Sequence, residues 1–374
     1  MDPAALLVKY LRDKFAAEIA LQDGNVDFPA EWRLQFLEDC NRIVQQLVAA
    51  YCNKKYLDWS IADYSHFLEV QSPCSTGRNE TLEAKLQTCF PPLNASRNLK
   101  TQPFIVVDKE GHIVMWYLPG ILGEALWERM WKGVEVVQRL LAIDRHSKSW
   151  RLSNKYYMAA EECTICPGTA SFSPAWFQQA YAATNNLEVS ATLQTVEGLQ
   201  WLHEAQEANL LIGGILGVIH PALYETGHRA VQALHGDVLV DKGANLEDIL
   251  ELWALPFTGV SIMNNRQTPV HRDSGGGFKC MDLLATVGPY TNGKMDIPTV
   301  GIQVRYSAGT MVGITGRALL HATEATGERA CFAYYMRHNV LKHLNLEEPG
   351  WAKVSDIDDM VADMMEPEAK PKRL

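Results

Sequence analysis

Val260-Ser261-Ile262-Met263-Asn264-Asn265-Arg266-Gln267-Thr268-Pro269-Val270-His271-Arg272-Asp273 runs directly into Ser274-Gly275-Gly276-Gly277. The apolar and β-branched residues make the run strand-like, and the serine and glycines end it. In a strand, residues i and i+2 point to one side, so His271 and Asp273 share a face and Arg272 looks away. A second histidine, His321, closes the apolar run Met311 to Leu320, which follows a turn at Ser307-Ala308-Gly309. Arg329 opens a third run that reaches Met336. Two imidazoles and one carboxylate occupy one face of Fe(II) and leave positions open for co-substrate and O2. His271, Asp273 and His321 are therefore the candidate iron ligands, with His321 on a strand that returns across a barrel. Arg329 supplies a permanently charged fork for the carboxylate of a 2-oxo acid. By strand parity Arg329, Cys331, Ala333, Tyr335 and Arg337 lie on one face.

A His-x-Asp pair alone recurs by chance, and a single distant histidine is ordinarily a core or surface residue. The order of the groups, their strand-like flanks and the arginine that follows carry the reading together. His-Arg-Asp also begins the protein-kinase catalytic loop, but that loop needs an Asn five residues after its Asp. The residue here is Phe278, and no upstream Gly-rich loop accompanies it.

The stretches HRDSGGGFKC, YSAGTMVGITGRALLHAT and GERACFAYYMRHNV resemble the ten-eleven-translocation/J-binding-protein (TET/JBP) oxygenases over residues 255–343, most nearly the group expanded with transposons in mushroom-forming fungi. The resemblance implies an Fe(II)/2-oxoglutarate dioxygenase that oxidises a methylated base in DNA. It matches His271, Asp273 and His321 to the iron ligands and Arg329 to the arginine that binds 2-oxoglutarate. Arg266 matches a second co-substrate arginine of some members. Arg337 falls where cytosine-oxidising members carry a base-contacting histidine and J-base enzymes an arginine. Gly276, three residues after the Asp, stands where several members are polar. These two positions leave 5-methylcytosine, thymine and N6-methyladenine open as targets.

The chain has 374 residues, 47% of them hydrophobic, enough for a packed core. No basic segment followed by an apolar run opens it, so no secretory signal is expected. The longest apolar run, Leu210 to Ile219, is too short to span a bilayer. Eight scattered cysteines fit a reducing, intracellular setting, nuclear if the substrate is chromatin. The net charge of −10 argues against a protein that coats DNA regardless of sequence, but not against a local basic patch.

Residues 2–59 read as helices, opened by Asp2-Pro3 and again by Pro29. Residues 72–103 read as a connector with a short helix at 81–88. Residues 104–118 read as a β-hairpin, residues 121–143 as an amphipathic helix and residues 173–235 as strongly helical. Strands are expected at 260–273, 281–287, 300–306, 310–320 and 329–336, with a turn at 289–293. The expected fold class is α+β: a double-stranded β-helix, or distorted jelly-roll, with helices packed outside. The expected division is a helical region over 1–100, an oxygenase domain over 101–345 and a charged tail over 346–374, solvated and flexible at its end.

Residues 145–157 are the candidate nucleic-acid stretch. Arg145, His146, Lys148, Arg151 and Lys155 interleave with Trp150, Tyr156 and Tyr157, and such groups hold phosphates and stack on bases. The plain alternative is a solvated loop followed by core aromatics. Cys163 and Cys166 form a lone C-x-x-C, a half-site for zinc or a redox pair. His220, His228 and His235 approach one helical face only if no break occurs at Pro221.

The expected cofactors are thus Fe(II), 2-oxoglutarate and O2. The expected partner is DNA bearing a methylated base, flipped out of the stack, with 5-methylcytosine first and N6-methyladenine second. No membrane and no obligate protein partner is inferred. The rival readings are an oxygenase of a small molecule or protein, and a non-catalytic, transposon-associated DNA-binding protein.

Overall fold

The computed structural model describes residues 2–21, 26, 28–29, 32–72, 76–93, 98–143, 149–177, 187–236 and 246–365. Its strands are β1 (Lys54–Tyr56), β2 (Phe104–Val107), β3 (Ile113–Leu118), β4 (Gly168–Phe172), β5 (Gly259–Asn264) and β6 (Thr268–His271), followed by β7 (Asp282–Val287), β8 (Tyr290–Ile297), β9 (Ile302–Arg305), β10 (Met311–Ile314), β11 (His321–Gly327) and β12 (Ala330–Tyr335). They form an eight-stranded sheet in the order β1-β2-β3-β10-β7-β12-β5-β4 and a four-stranded sheet in the order β6-β11-β8-β9. Apart from β1 with β2, every strand pair in these sheets is antiparallel.

Strand parity sorts the apolar side chains into two layers. Ile105, Trp116, Leu283, Ala285, Phe332, Tyr334, Val260 and Ile262 pack with the helices on the outer face of the large sheet. Phe104, Val106, Tyr117, Leu284, Val312 and Cys331 face the other way and pack against Met295, Ile297, Ile302 and Val304 of the small sheet. The space between the sheets is thus an apolar core, and the polar residues of the same parity open a cavity in it.

The outer helices are α1 (Pro3–Ile19), α2 (Leu34–Tyr51), α5 (Glu124–Val136), α6 (Val196–Glu204), α7 (Gln206–Ile219), α8 (Pro221–Gly236) and α9 (Leu246–Leu252). Asp2 caps α1 by accepting from the Ala4 N–H at 3.0 Å, with Pro3 at the first helical position. Two further helices, α3 (Ile61–Gln71) and α4 (Glu80–Cys89), cover the inter-sheet core, with Tyr64, Leu68, Leu82 and Leu86 buried in it. Asn79 caps α4 through the Leu82 N–H at 3.2 Å.

Several expectations change at identifiable residues. The strand expected over 260–273 is broken at Asn265, whose φ is +54°. Asparagine tolerates this left-handed conformation, and the kink sends β6 from the large sheet to the small one. The run expected to be a strand over 310–320 turns after Ile314, with the Ala318 N–H on the Thr315 carbonyl, so His321 begins β11 rather than ending its predecessor. The turn expected at 289–293 is the start of β8; its Thr291 and Asn292 are exposed, which hides the strand from a hydrophobicity reading. Among the described residues of 173–235, helix begins at Val196, and the Trp176–Glu188 bridge precedes it. The tail is not simply solvated: α11 (Val354–Met365) buries Ile357, and Asp358 accepts from Tyr51 Oη at 2.6 Å. The last residues of the expected tail, 366–374, lie outside the described residues.

Pro221 does break the helix, between α7 and α8. His220 is buried, accepts from the Leu223 N–H through Nδ1, and donates from Nε2 to the Lys279 carbonyl. Burial pushes its pKa down to about 4. A buried neutral histidine contributes stability that is complete above the unfolded value near 6.5 and lost as pH falls toward the folded value. Denaturant unfolding at pH 7 and pH 4.5 should therefore show a loss of up to about 3 kcal/mol at the lower pH attributable to this residue. His220→Gln should flatten that part of the pH profile.

Candidate active site

The three expected ligands meet in the cavity between the sheets. His271 and His321 are direct partners across the β6–β11 ladder, with ring centroids 4.2 Å apart. Asp273 lies just beyond the end of β6, and its backbone N–H is held by the Gly316 carbonyl at 3.0 Å. Its Oδ1 is 3.4 Å from His271 Nε2 and its Oδ2 is 3.5 Å from His321 Nε2. The three donor atoms all fall within 4.8 Å of one another.

Both imidazoles are oriented from behind. His271 Nδ1–H donates to the Pro269 and His321 carbonyls at 3.0 and 3.1 Å, and His321 Nδ1–H to the Leu319 carbonyl at 3.0 Å. These bonds place the free lone pair on Nε2, facing the ligand cluster, and are the supporting contacts that sequence could not reveal. Burial, reinforced by His321, lowers the His271 pKa to about 4, so the ring is neutral at physiological pH. Burial raises the Asp273 carboxyl, but hydrogen bonds and charge from the two histidines outweigh it and hold the group well below its usual value.

Arg329 precedes β12 and enters the same cavity of about 660 Å³. Its Nε donates to Thr286 Oγ1 at 2.8 Å, Nη1 lies 3.5 Å from Thr323 Oγ1, and the guanidinium sits over the Tyr306 ring. Nη2 is buried and has no partner, and no carboxylate pairs with Arg329 among the described residues. A buried, unpaired guanidinium nitrogen is costly. A carboxylate from a bound 2-oxo acid removes that cost. The donor set and this arginine therefore fit Fe(II) and 2-oxoglutarate: the former on His271, Asp273 and His321, the latter's distal carboxylate on Arg329.

Residues 178–338 match the Tet_JBP family, described as the oxygenase domain of the 2OGFeDO superfamily. The protein is an Fe(II)/2-oxoglutarate-dependent dioxygenase. Among solved structures the dioxygenase is similar to NgTET1 in complex with 5mC DNA, at a TM-score of 0.44 and 16% identity, over 75% of this chain and 92% of that one. No curated protein matches it.

Arg266 lines the dioxygenase cavity, but its guanidinium lies over the Trp150 ring and Nη1 points to the Arg151 carbonyl. Arg337 also lines it, at the far wall, stacked 3.4 Å above the Trp176 ring with Nε unpartnered. A Cβ on Gly276 would make ordinary van der Waals contact with the Met336 carbonyl at 3.8 Å, so a small side chain would fit there.

The stretch 149–157 is not uniformly a surface. Trp150 is buried with its ring 4.6 Å from that of His271, and the Tyr157 hydroxyl donates to the Arg151 carbonyl. Arg151, expected as a phosphate contact, instead donates through Nη2 to Asp273 Oδ1 at 3.2 Å and to the Arg272 carbonyl at 3.3 Å. A guanidinium on one carboxylate oxygen leaves the other for a metal. Arg151→Ala is therefore expected to weaken divalent-metal affinity by about 10–100-fold, read by calorimetric titration with Co(II). Arg145, His146 and Lys148 lie outside the described residues. Lys155 and Tyr156 remain outward-facing, and with Arg78, Ser153 and the exposed Val270 they line a separate groove of about 310 Å³ beside Trp150.

Asp282 was missed in the sequence. It opens β7, is buried in the cavity wall, and its Oδ1 has no partner. Burial, then the nearby Asp273 charge, raises its pKa well above the ordinary value. A lone acid at the head of a largely apolar strand is the signal that would have found it. A Cβ on Gly276 would lie 4.0 Å from this carboxyl.

Two other groups have structural explanations. Cys163 and Cys166 are free thiols, and no third ligand joins them among the described residues. Asp108 and His112 with Glu110 form the other convergent cluster there, yet Asp108 already accepts from the Ile61, Glu110 and His112 N–H groups and from His112 Nδ1. That carboxylate staples a turn. A cleft of about 690 Å³ between α1, α7, α8 and α9 contains none of the iron ligands.

Proposed function

We propose that the dioxygenase oxidises the methyl group of a modified base in DNA, 5-methylcytosine first and N6-methyladenine second, on a base flipped into the cavity. What supports this reading is the Tet_JBP match over residues 178–338 together with a cavity in which polar atoms are left over once iron and 2-oxoglutarate are placed, among them Asp282 Oδ1, Arg337 Nε and Arg266 Nε. We read the two sheets as a distorted jelly-roll that belongs to the oxygenase unit of residues 101–345, with residues 1–100 packed on it, and the protein as a nuclear one of the fungal, transposon-accompanying group.

When bound, Fe(II) with 2-oxoglutarate and O2 supplies the oxidising power for methyl hydroxylation, and 2-oxoglutarate becomes succinate and CO2. The chain's own residues do the rest. Arg329 orients 2-oxoglutarate by its distal carboxylate. Asp282 and Arg337 offer an acceptor and a donor to the polar edge of a base, and Trp150 closes the wall beside His271. A methyl group on a paired base is inside the stack, so the base must leave it to reach the ligands. The acid-free groove of Arg78, Ser153 and Lys155 beside the cavity suits the phosphates that flank an extruded nucleotide.

Asp282→Leu is expected to lower kcat/KM for the methylated duplex by about 10–100-fold through loss of one buried hydrogen bond, with 2-oxoglutarate affinity unchanged. The inward turn of Trp150 and Arg151 favours the second reading, oxidation of a small molecule or protein, because it leaves fewer surface groups for DNA. Nucleoside mass spectrometry decides between them. Duplexes carrying 5-methylcytosine, N6-methyladenine or only thymine are incubated with Fe(II) and 2-oxoglutarate, with His271→Ala as control. Succinate formed without any oxidised base would discard DNA as the substrate.

A further inference from the structure

Arg272 stands between two iron ligands and points the opposite way. Its side chain is fully buried, and the Glu83 carboxylate opposite is 13% exposed. Nη1 donates to Glu83 Oε1 at 2.6 Å and Nη2 to Glu83 Oε2 at 2.7 Å, a two-pronged pair. Nη2 also donates to the Tyr64 hydroxyl at 2.5 Å, and Nε donates to the Ala318 carbonyl at 2.8 Å. Ala318 lies in the turn that leads into His321. One planar cation therefore grips the chain between His271 and Asp273, the chain just before His321, and the α3–α4 layer.

The backbone repeats the arrangement. The Arg272 N–H donates to the Thr76 carbonyl at 3.2 Å, the Asp273 N–H to the Gly316 carbonyl, and the Leu320 N–H to Thr299 Oγ1 at 2.9 Å. A guanidinium has five N–H donors in a fixed plane, so its partners cannot drift independently. Metal donors must be held to within about 0.5 Å of productive geometry. We propose that Arg272 and Glu83 form a clamp that sets the spacing of His271, Asp273 and His321, making both positioning residues for the iron centre. Glu83 and Tyr64 lie outside residues 178–338, so the helical layer ahead of the matched family domain completes the metal site. This holds whichever substrate the dioxygenase oxidises.

A buried ion pair contributes little net stability when both partners can be replaced by apolar residues of similar volume. That separates positioning from folding. The full chain is compared as wild type, Glu83→Gln, Arg272→Lys and the double variant Arg272→Met/Glu83→Leu. Co(II) affinity is read by calorimetry and the metal-free melting midpoint by circular dichroism. The double variant is expected to melt near wild type yet bind Co(II) about 10–100-fold more weakly. Arg272→Lys should not restore affinity, because an ammonium keeps the charge without the fork. Glu83→Gln, which keeps the shape and loses the charge, should fall between wild type and the double variant. Wild-type Co(II) affinity in a folded double variant overturns the clamp. Should the double variant not fold, wild-type affinity in Glu83→Gln overturns it instead.

Discussion

Asp273→Ala and His271→Ala are each expected to lower turnover by about a thousand-fold or more, since either removes one of the three groups that hold iron on one face. The fold should survive. Asp273 is 35% exposed, and its partners are the two imidazoles and Arg151. His271 sits in the small sheet, where its ring contacts Trp150 and His321 and its Nδ1–H donates only to backbone carbonyls. Far-ultraviolet circular dichroism should match wild type while Co(II) titration shows no saturable site. A variant that retains wild-type turnover would show that the ligands lie elsewhere.

The second large effect belongs to Arg329. Arg329→Met should raise KM for 2-oxoglutarate by about two to three orders of magnitude, as expected when a buried charge loses its partner, at about 3–5 kcal/mol. The stability result should go the other way. Nη2 is buried without a partner in the protein alone, so removing the guanidinium relieves a desolvated group. The melting midpoint of the substrate-free variant should equal or exceed that of wild type. With Co(II) present throughout, added 2-oxoglutarate should raise the wild-type midpoint by mass action and leave that of the variant unchanged. A variant with ordinary 2-oxoglutarate affinity would move the co-substrate elsewhere in the cavity, with Arg266 the next arginine to test.

The convergence of His271, Asp273 and His321 was legible because it rests on local rules. His271 and Asp273 sit two residues apart, and that parity survives even though the strand ends at His271. The order of Asp273, His321 and Arg329 also survived, because the strands that carry them follow one another in the chain. The hairpin of β2 and β3 and the break at Pro221 were readable for the same reason: each depends on a few adjacent residues.

What the tertiary structure alone decided depends on residues far apart in the chain. Composition put Arg151 and Lys155 in one basic stretch, but the contact with Asp273, more than a hundred residues on, turned Arg151 inward. Asp282 carried no functional reading until the fold buried it, 4.0 Å from where a Cβ on Gly276 would sit. Arg272 read only as the residue facing away; its partner Glu83 is 189 positions earlier. Local sequence sets which face a side chain takes, through backbone geometry. Which group waits on that face, and whether it is desolvated, is set by chain segments that meet only when the two sheets and their helices close.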